Sequence, residues 1–304
     1  DNSTLNINNT TLEGAIQITN TATNAKVYVD GEYILTSVAE LNGALTEGGN
    51  VVLSGNVAIS SSEAGSNGYG ATGISQLNGG TIDGQGNSIS VDAWTTWDSA
   101  INTTGGTIKN LKVTGGMRGI FVNHNSDYSA KVILDKVTID GTIYTISCDQ
   151  GTNKGLEATN STFNGWTSYA ATLGDVKFDR CSFGEGQGYA FCRPYAPTEF
   201  VECDFANGYE IDPVAAVTFK NCTIDGVALT AANVATLVTS NLDKVTSVNG
   251  YTQVDGLWIN EGTAIVTSPD KVQAAFDNSE IHTIYLNSGK YVVDMYNGTA
   301  ERES

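Results

Sequence analysis

Proline, histidine and positive charge are scarce in this chain. Four prolines, two histidines and 15 Lys plus Arg stand against 33 Asp plus Glu in 304 residues. A formal net charge of -18 excludes unassisted nucleic-acid binding, which needs a basic surface against the phosphates. It also speaks against a polyanionic substrate, because no basic cluster occurs along the chain. With only His124 and His282, imidazole acid–base chemistry has few candidates, and His124 reads as a solvated loop residue. No apolar run is long enough to cross a membrane, so no membrane span is expected. Asp1 is not an initiator methionine, which is expected of a processed or excerpted chain.

What the chain has in quantity is glycine (34 residues) and a repeated phrase. Val176-Lys177-Phe178-Asp179-Arg180-Cys181-Ser182-Phe183 is followed by Phe200-Val201-Glu202-Cys203-Asp204-Phe205 and by Val217-Thr218-Phe219-Lys220-Asn221-Cys222-Thr223-Ile224. The frame is apolar, any, apolar, any, polar, small, any, apolar. Carried upstream, its last apolar position falls on Val91, Val113, Ile139, Phe163, Phe183, Phe205 and Ile224. Strand-like alternation inside a repeat of this length predicts one solenoid coil per copy. One such strand cannot bury its apolar face alone, whereas stacked parallel copies close a continuous core.

With these phrases the chain resembles the right-handed parallel β-helix of the pectin-lyase-like superfamily over roughly 36–226. The expected fold is all-β, a right-handed parallel β-helix solenoid with hairpin and short-helix caps; the handedness follows from the resemblance and the rule for parallel crossovers. That architecture hosts lyases, hydrolases, adhesins and viral fibres, so it implies little about activity.

Caps are legible on either side of the coils. Lys26 to Ile34 alternates around Asp30-Gly31, a hairpin signal. Ser37 then N-caps a helix with Val38, Leu41, Ala44 and Leu45 on one face, ended by Gly48-Gly49. The same order returns late in the chain: Asp255-Gly256, then Thr267-Ser268-Pro269 opening a second helix, then Ile284-Tyr285-Leu286 matching Val51-Val52-Leu53. Leu5 to Gly14 fits the phrase at 217–226. The expected organisation is 1–14 as the last turn of a preceding module, 15–35 a hairpin linker, 36–226 a complete β-helix, 227–265 a closing cap and hairpin linker, and 266–304 the start of a further module.

Cys181, Cys203 and Cys222 share the small position of the phrase, and Cys148 and Cys192 each follow their coil's reference residue by the same distance. All five are expected in buried stacks as free thiols, since parallel Cβ vectors set in-register cysteines wider apart than a disulfide prefers. The triplet Ile-Asp-Gly, at 82–84, 139–141 and 224–226, reads as a turn with glycine at positive φ. Arg180 and Glu202, one step before the small position on adjacent coils, are expected to pair.

For chemistry, the hydrolase signatures of the superfamily (Asn-Thr-Asp, Asp-Asp, Gly-His-Gly and Arg-Ile-Lys) do not occur, and Arg193-Pro194 is the nearest match to a lyase base. Glu210 and Asp212, with Asp149 and Glu185 in neighbouring coils, are the acids a glycosidase would need to pair. No catalytic residue, metal ligand or cofactor is assigned. Tyr144, Tyr169, Tyr189 and Tyr209 recur in phase with the coils. Facing outward they form an aromatic strip for stacking on sugar rings; their parity with Ile146, Ala171, Phe191 and Ile211 favours the interior. Trp166 is the further glycan-stacking candidate, with Trp94 and Trp97 in less regular segments. The expected function is a non-catalytic structural and adhesive module of an extracellular, cell-surface or virion fibre. Its expected partners are surface glycans and neighbouring copies or modules of the same fibre. The alternative is a polysaccharide lyase or glycoside hydrolase of this superfamily.

Overall fold

A computed structural model describes residues 4–8, 26–29, 32–34, 38–66, 70–91, 97–123, 130–149 and 154–287. Parallel strands stack into a β-solenoid of about eight turns. Each coil has two strands joined by a tight corner and a third strand on the far side. Face one runs from Asn50–Val52 through Thr81–Asp83 to Val217–Lys220, each strand parallel to the next. Face two runs from Val57–Ile59 to Thr223–Ile224. Face three contains the strands Ala71–Gln76, Ser99–Thr103, Arg118–Val122, Tyr144–Cys148, Trp166–Tyr169, Phe191–Pro194 and Glu210–Ile211.

The corner between faces one and two is built from the polar slot of the phrase. Asn110, Lys136, Asn160, Arg180, Glu202 and Asn221 all take φ between 50° and 54°, the left-handed region that Asn tolerates best. One such residue per coil turns the chain without breaking the ladder on either side. The next residue then points inward as Leu111, Val137, Ser161, Cys181, Cys203 or Cys222, all buried. Arg180 does not pair with Glu202. Its Nε donates to Asn160 Oδ1 at 3.1 Å and its Nη1 lies 2.7 Å from Asp179 Oδ1, so it reaches back to the preceding coil.

The reference column is in register from Val113 through Ile139, Phe163, Phe183 and Phe205 to Ile224. One coil earlier its occupant is Ile89, not Val91. The corner at 83–87 differs from the others: positive φ falls on Gln85 and Gly86, displacing the strand by two residues. For the same reason the Ile-Asp-Gly at 82–84 is not a turn like the other two. Gly141 and Gly226 have φ of 78° and 72°, while Asp83 ends a face-one strand.

Two aromatic files fill the later coils. Phe178, Phe200 and Phe219 stack at 5.4 and 5.3 Å with interplanar angles of 11° and 10°, and Phe163, Phe183 and Phe205 follow at 5.4 and 5.0 Å. Offset-stacked rings at this spacing add about 0.5–1.5 kcal/mol per pair beyond their buried area.

Cys181, Cys203 and Cys222 form one column, between in-register Asp179, Val201 and Lys220 and in-register Ser182, Asp204 and Thr223. All five cysteines are free and buried. Cys148 and Cys192 do not share a column: Cys148 aligns with Tyr169, and Cys192 with Thr167 and Ile211. Burial, then the flanking thiols of Cys181 and Cys222, pushes the Cys203 thiol far up; burial likewise raises Cys192. Hydrogen bonding with Cys203 shifts Cys181 and Cys222 the other way, downward, so for those two it is burial and not thiolate content that withholds the sulfur. A thiol reagent such as Ellman's should titrate none of the five in the native protein and all five in denaturant. One rapidly reacting native thiol would contradict the column.

Asp83 is held by charge and hydrogen bonds. Burial works to raise its pKa, but Asn110 Nδ2, the Gln85 amide and Lys109 Nζ (3.0, 3.0 and 3.1 Å) outweigh it, and the net shift is downward. A lowered folded-state pKa gives stability that is present above the unfolded-state value and is lost as pH falls through the folded one. Acid unfolding should therefore steepen below about pH 4, and Asn110→Gly, which keeps the left-handed corner but removes the hydrogen bond to Asp83, should move the acid midpoint upward. An unchanged midpoint would show that Asp83 contributes nothing there.

The ends carry hairpins and helices as expected. Lys26–Val29 and Glu32–Ile34 are antiparallel, and Val38–Thr46 is a helix with Val38, Leu41 and Leu45 buried. Gly48 at φ 73° ends it, its amide bonding Leu45 O. Ser37, and most of 1–14, lie outside the described residues. After the last coil a meander follows, Val245–Val248, Tyr251–Val254, Leu257–Asn260 and Thr263–Val266. Its three turns, Asn249-Gly250, Asp255-Gly256 and Glu261-Gly262, all have both φ values positive, as two-residue type I′ hairpins require.

Candidate functional site

The tyrosines do not form one strip. Tyr169 and Tyr209 are core residues, each 1% exposed. The Tyr169 hydroxyl lies 2.8 Å from Thr198 Oγ1, and burial raises both phenol pKa values. Tyr144, Trp166 and Tyr189 instead form an outer row on face three. In this sheet Trp166 and Ser168 alternate with buried Thr167 and Tyr169, and Phe191 and Arg193 with buried Cys192 and Pro194. Register puts Arg118, Tyr144, Trp166, Phe191 and Glu210 in one column. A bulge between Tyr144 and Ile146 turns Tyr144 outward while Ile146 stays in the core.

The row is continuous. Tyr144 and Trp166 have ring centroids 5.0 Å apart at 32°, Trp166 and Tyr189 5.5 Å at 33°, and Phe191 meets Trp166 edge-on at 5.3 Å. Rings this close cannot lie flat side by side, so they overlap, each presenting an edge and part of a face. Tyr189, at the exposed end, is 39% exposed. It follows the turn at Gln187-Gly188, held by mutual hydrogen bonds between the Gly186 and Tyr189 backbones. Partial burial, then the neighbouring Tyr189 and Asp149, lifts the Tyr144 pKa. The Trp166 indole N–H is buried without a hydrogen-bond partner, a deficit of about 1–3 kcal/mol.

Beside this row runs a polar one. Ser147, Ser168 and Arg193 are in register, and Arg193 Nε lies 3.5 Å from Asp212 Oδ2. Arg193 also sits 5.4 Å over the ring of Tyr195. At the other end Arg118, 1% exposed, lies between the rings of Trp97 (4.9 Å) and Phe121 (4.3 Å) and bonds Asp149 Oδ2 at 3.0 Å. These pairings occupy two of the acids considered for hydrolysis: Asp149 is held by Arg118, and Asp212 by Arg193 and by Asn241 Nδ2 at 2.7 Å. Glu210 and Glu185 are exposed.

The arrangement suits contact with sugars. Aromatic edges and faces meet C–H groups, while Ser168 and the Arg193–Asp212 pair meet hydroxyls, Ser147 being buried behind them. Trp97 is 43% exposed above Arg118; Trp94 and His124 lie outside the described residues. Sequence reasoning missed Phe191 and Arg193 as members of this surface and Arg118 as the buried cation at its end, although the alternation Phe191-Cys192-Arg193-Pro194 is the signal that places the first two outward. Two open depressions lie elsewhere, one at Gln85, Asn110, Lys112 and Lys136, the other at Lys131, Glu157, Lys177 and Glu199. Among the described residues no three His, Cys, Asp or Glu side chains are grouped so as to hold a metal ion. No helix among them is long and apolar enough to cross a membrane.

No protein-family model, no curated protein and no solved structure matches this chain. The class that the coordinates define is therefore the architecture itself: a parallel β-solenoid with an aromatic row on one outer face.

Proposed function

We propose that this chain is a non-catalytic structural and adhesive module of an extracellular or virion fibre, and that the row Tyr144, Trp166 and Tyr189 binds glycans. The observation that carries the reading is the pairing of an outer aromatic row with an adjacent polar row on one rigid face. Tyr189 leaves a large part of its ring open at one end of the row, and Ser168 and Arg193 stand outward in the adjacent row, so rings and hydrogen-bonding groups face solvent together. The long parallel ladder holds both rows still, which lowers the entropy lost when an extended ligand docks.

The reading is tested by screening immobilised bacterial and host polysaccharides for binding, with reducing ends and unsaturated products assayed in parallel. Saturable binding without turnover is the expected result. Release of products would replace this reading with the polysaccharide lyase or glycoside hydrolase alternative, and absence of binding across the panel would leave the row a structural stack.

A further inference from the structure

The hairpin–helix unit at the start of the solenoid occurs twice, and its hairpins and helices correspond at one fixed separation. In the first, Val27, Tyr28 and Val29 pair with Ile34, Tyr33 and Glu32. In the second, Trp258, Ile259 and Asn260 pair with Ile265, Ala264 and Thr263. Every one of these positions is shifted by 231, as 27 to 258 and 34 to 265. The helix Val38–Thr46 shifted by 231 covers 269–277, which is where Pro269–Lys271 and Val272–Asp277 lie. The strand that follows is parallel to the hairpin in both, Tyr33 with Val51 and Ala264 with Ile284; its equivalences are set by this pairing and lie at a shift of 233, the connection after the second helix being two residues longer. By this register the turn equivalent to Asp30-Gly31 is Glu261-Gly262, not Asp255-Gly256.

Burial separates the two copies. Leu45 is 0% exposed and its equivalent Phe276 is 68%; Leu53 is 2% and Leu286 is 48%. Tyr285, equivalent to Val52, is 60% exposed. What covers the first copy is visible: Thr81–Asp83 pairs in parallel with Asn50–Val52, and Asn42 clamps the strand Ala71–Gln76 through Gly73 O (3.1 Å) and the Ser75 amide (2.8 Å). Gln273, equivalent to Asn42, bonds along its own helix, to Asp277 at 2.8 Å.

We infer that residues 257–286 are a landing platform, and that the face formed by Phe276, Tyr285 and Leu286 takes a parallel β-coil of the kind made by residues 50–91, continuing in line from Leu286. The occupant's chemistry follows from the first copy: a parallel strand pairing with Thr283–Leu286 and an apolar coil interior against Phe276. The modular part of the proposed fibre rests on this joint, whereas glycan binding uses face three, so either can fail without the other.

The test is a chimera in which residues 54–226 follow Leu286, the junction that the register of Leu53 and Leu286 prescribes. Amides of Ile284 and Leu286, which by strand alternation face away from Thr263–Val266 and are fast to exchange in the natural chain, should become as protected as those of Val51 and Leu53, whose edge Thr81–Asp83 covers. Phe276→Asp should leave the natural chain's melting temperature unchanged and lower that of the chimera. Equal exchange in both proteins, or a neutral Phe276→Asp in both, overturns the inference. The natural chain alone provides a second decision. If the Ile284 and Leu286 amides are already strongly protected there, either in the monomer or through concentration-dependent self-association seen by sedimentation, the face has another occupant and the continuing coil is wrong.

Discussion

Replacing Phe200 with alanine is expected to lower unfolding stability by about 3–5 kcal/mol, the range for removing a buried ring. Phe200 is fully buried and touches four other rings: Phe178 and Phe219 stacked above and below, Phe183 and Phe205 edge-on. Both phenylalanine files meet at this side chain, so its loss opens a cavity that no single neighbour can fill. In a solenoid, stability is a sum of coil and interface terms, and the damage should be local. Hydrogen exchange should accelerate in coils carrying Phe163 to Phe219 and change little around Val51 to Ile89. Phe200→Leu, which keeps most of the volume, should recover a large part of the loss. Uniform acceleration along the whole chain would mean that the coils unfold as one unit.

Trp166→Ala should weaken glycan binding by about 2 kcal/mol or more, roughly 30-fold, as expected for an anchor at the centre of a recognition surface. Trp166 contacts Tyr144, Tyr189 and Phe191, so its removal splits the row. Stability will fall as well, because the ring is half-buried; two other tyrosines separate the effects. Tyr189→Ala removes an exposed ring and should lower affinity with little change in melting temperature. Tyr209→Ala removes a core ring beside Phe183 and Phe205 and should lower the melting temperature while leaving affinity intact in the folded fraction. Titration calorimetry with scanning calorimetry on the same samples reads both. Full affinity in Trp166→Ala and Tyr189→Ala together would remove the row from the binding surface.

The phrase made the coil legible because its corner is short and constant. From the second apolar residue of face one to the reference residue of face two, each later coil spends the same number of positions turning through one left-handed residue. That constancy sets Phe163, Phe183, Phe205 and Ile224 at equivalent positions of the repeat in the sequence itself. At Gln85-Gly86 the corner lengthens, and there the alignment slipped to Val91. Face three has no such tether. The connection from the reference residue to the third strand varies from coil to coil: Ile139 is followed by Tyr144, Phe163 by Trp166, Phe183 by Phe191 and Phe205 by Glu210 as the first residue of that strand. Regular spacing of Tyr144, Tyr169, Tyr189 and Tyr209 therefore did not imply a common column. Tyr169 closes a strand and Tyr209 immediately precedes one, both in the core, Tyr144 opens a strand beside a bulge, and Tyr189 ends a turn. The late hairpin was misassigned for a related reason. Three consecutive Xaa-Gly turns offer three possible matches to Asp30-Gly31, and the residue identity favoured Asp255 where the strand register selects Glu261.

Every site assignment above depends on coils stacking in register, and that is measurable without a crystal. Thr107, Ile133, Glu157, Lys177, Glu199 and Thr218 occupy one column on the outer side of face one. Spin labels at position 107 and, in turn, at 177, 199 and 218 should give electron–electron distances that lengthen in equal steps of about 4.8 Å per coil. Distances that fail to rise in order, or that rise by unequal steps, would contradict the parallel stack and with it the outer row of Tyr144, Trp166 and Tyr189.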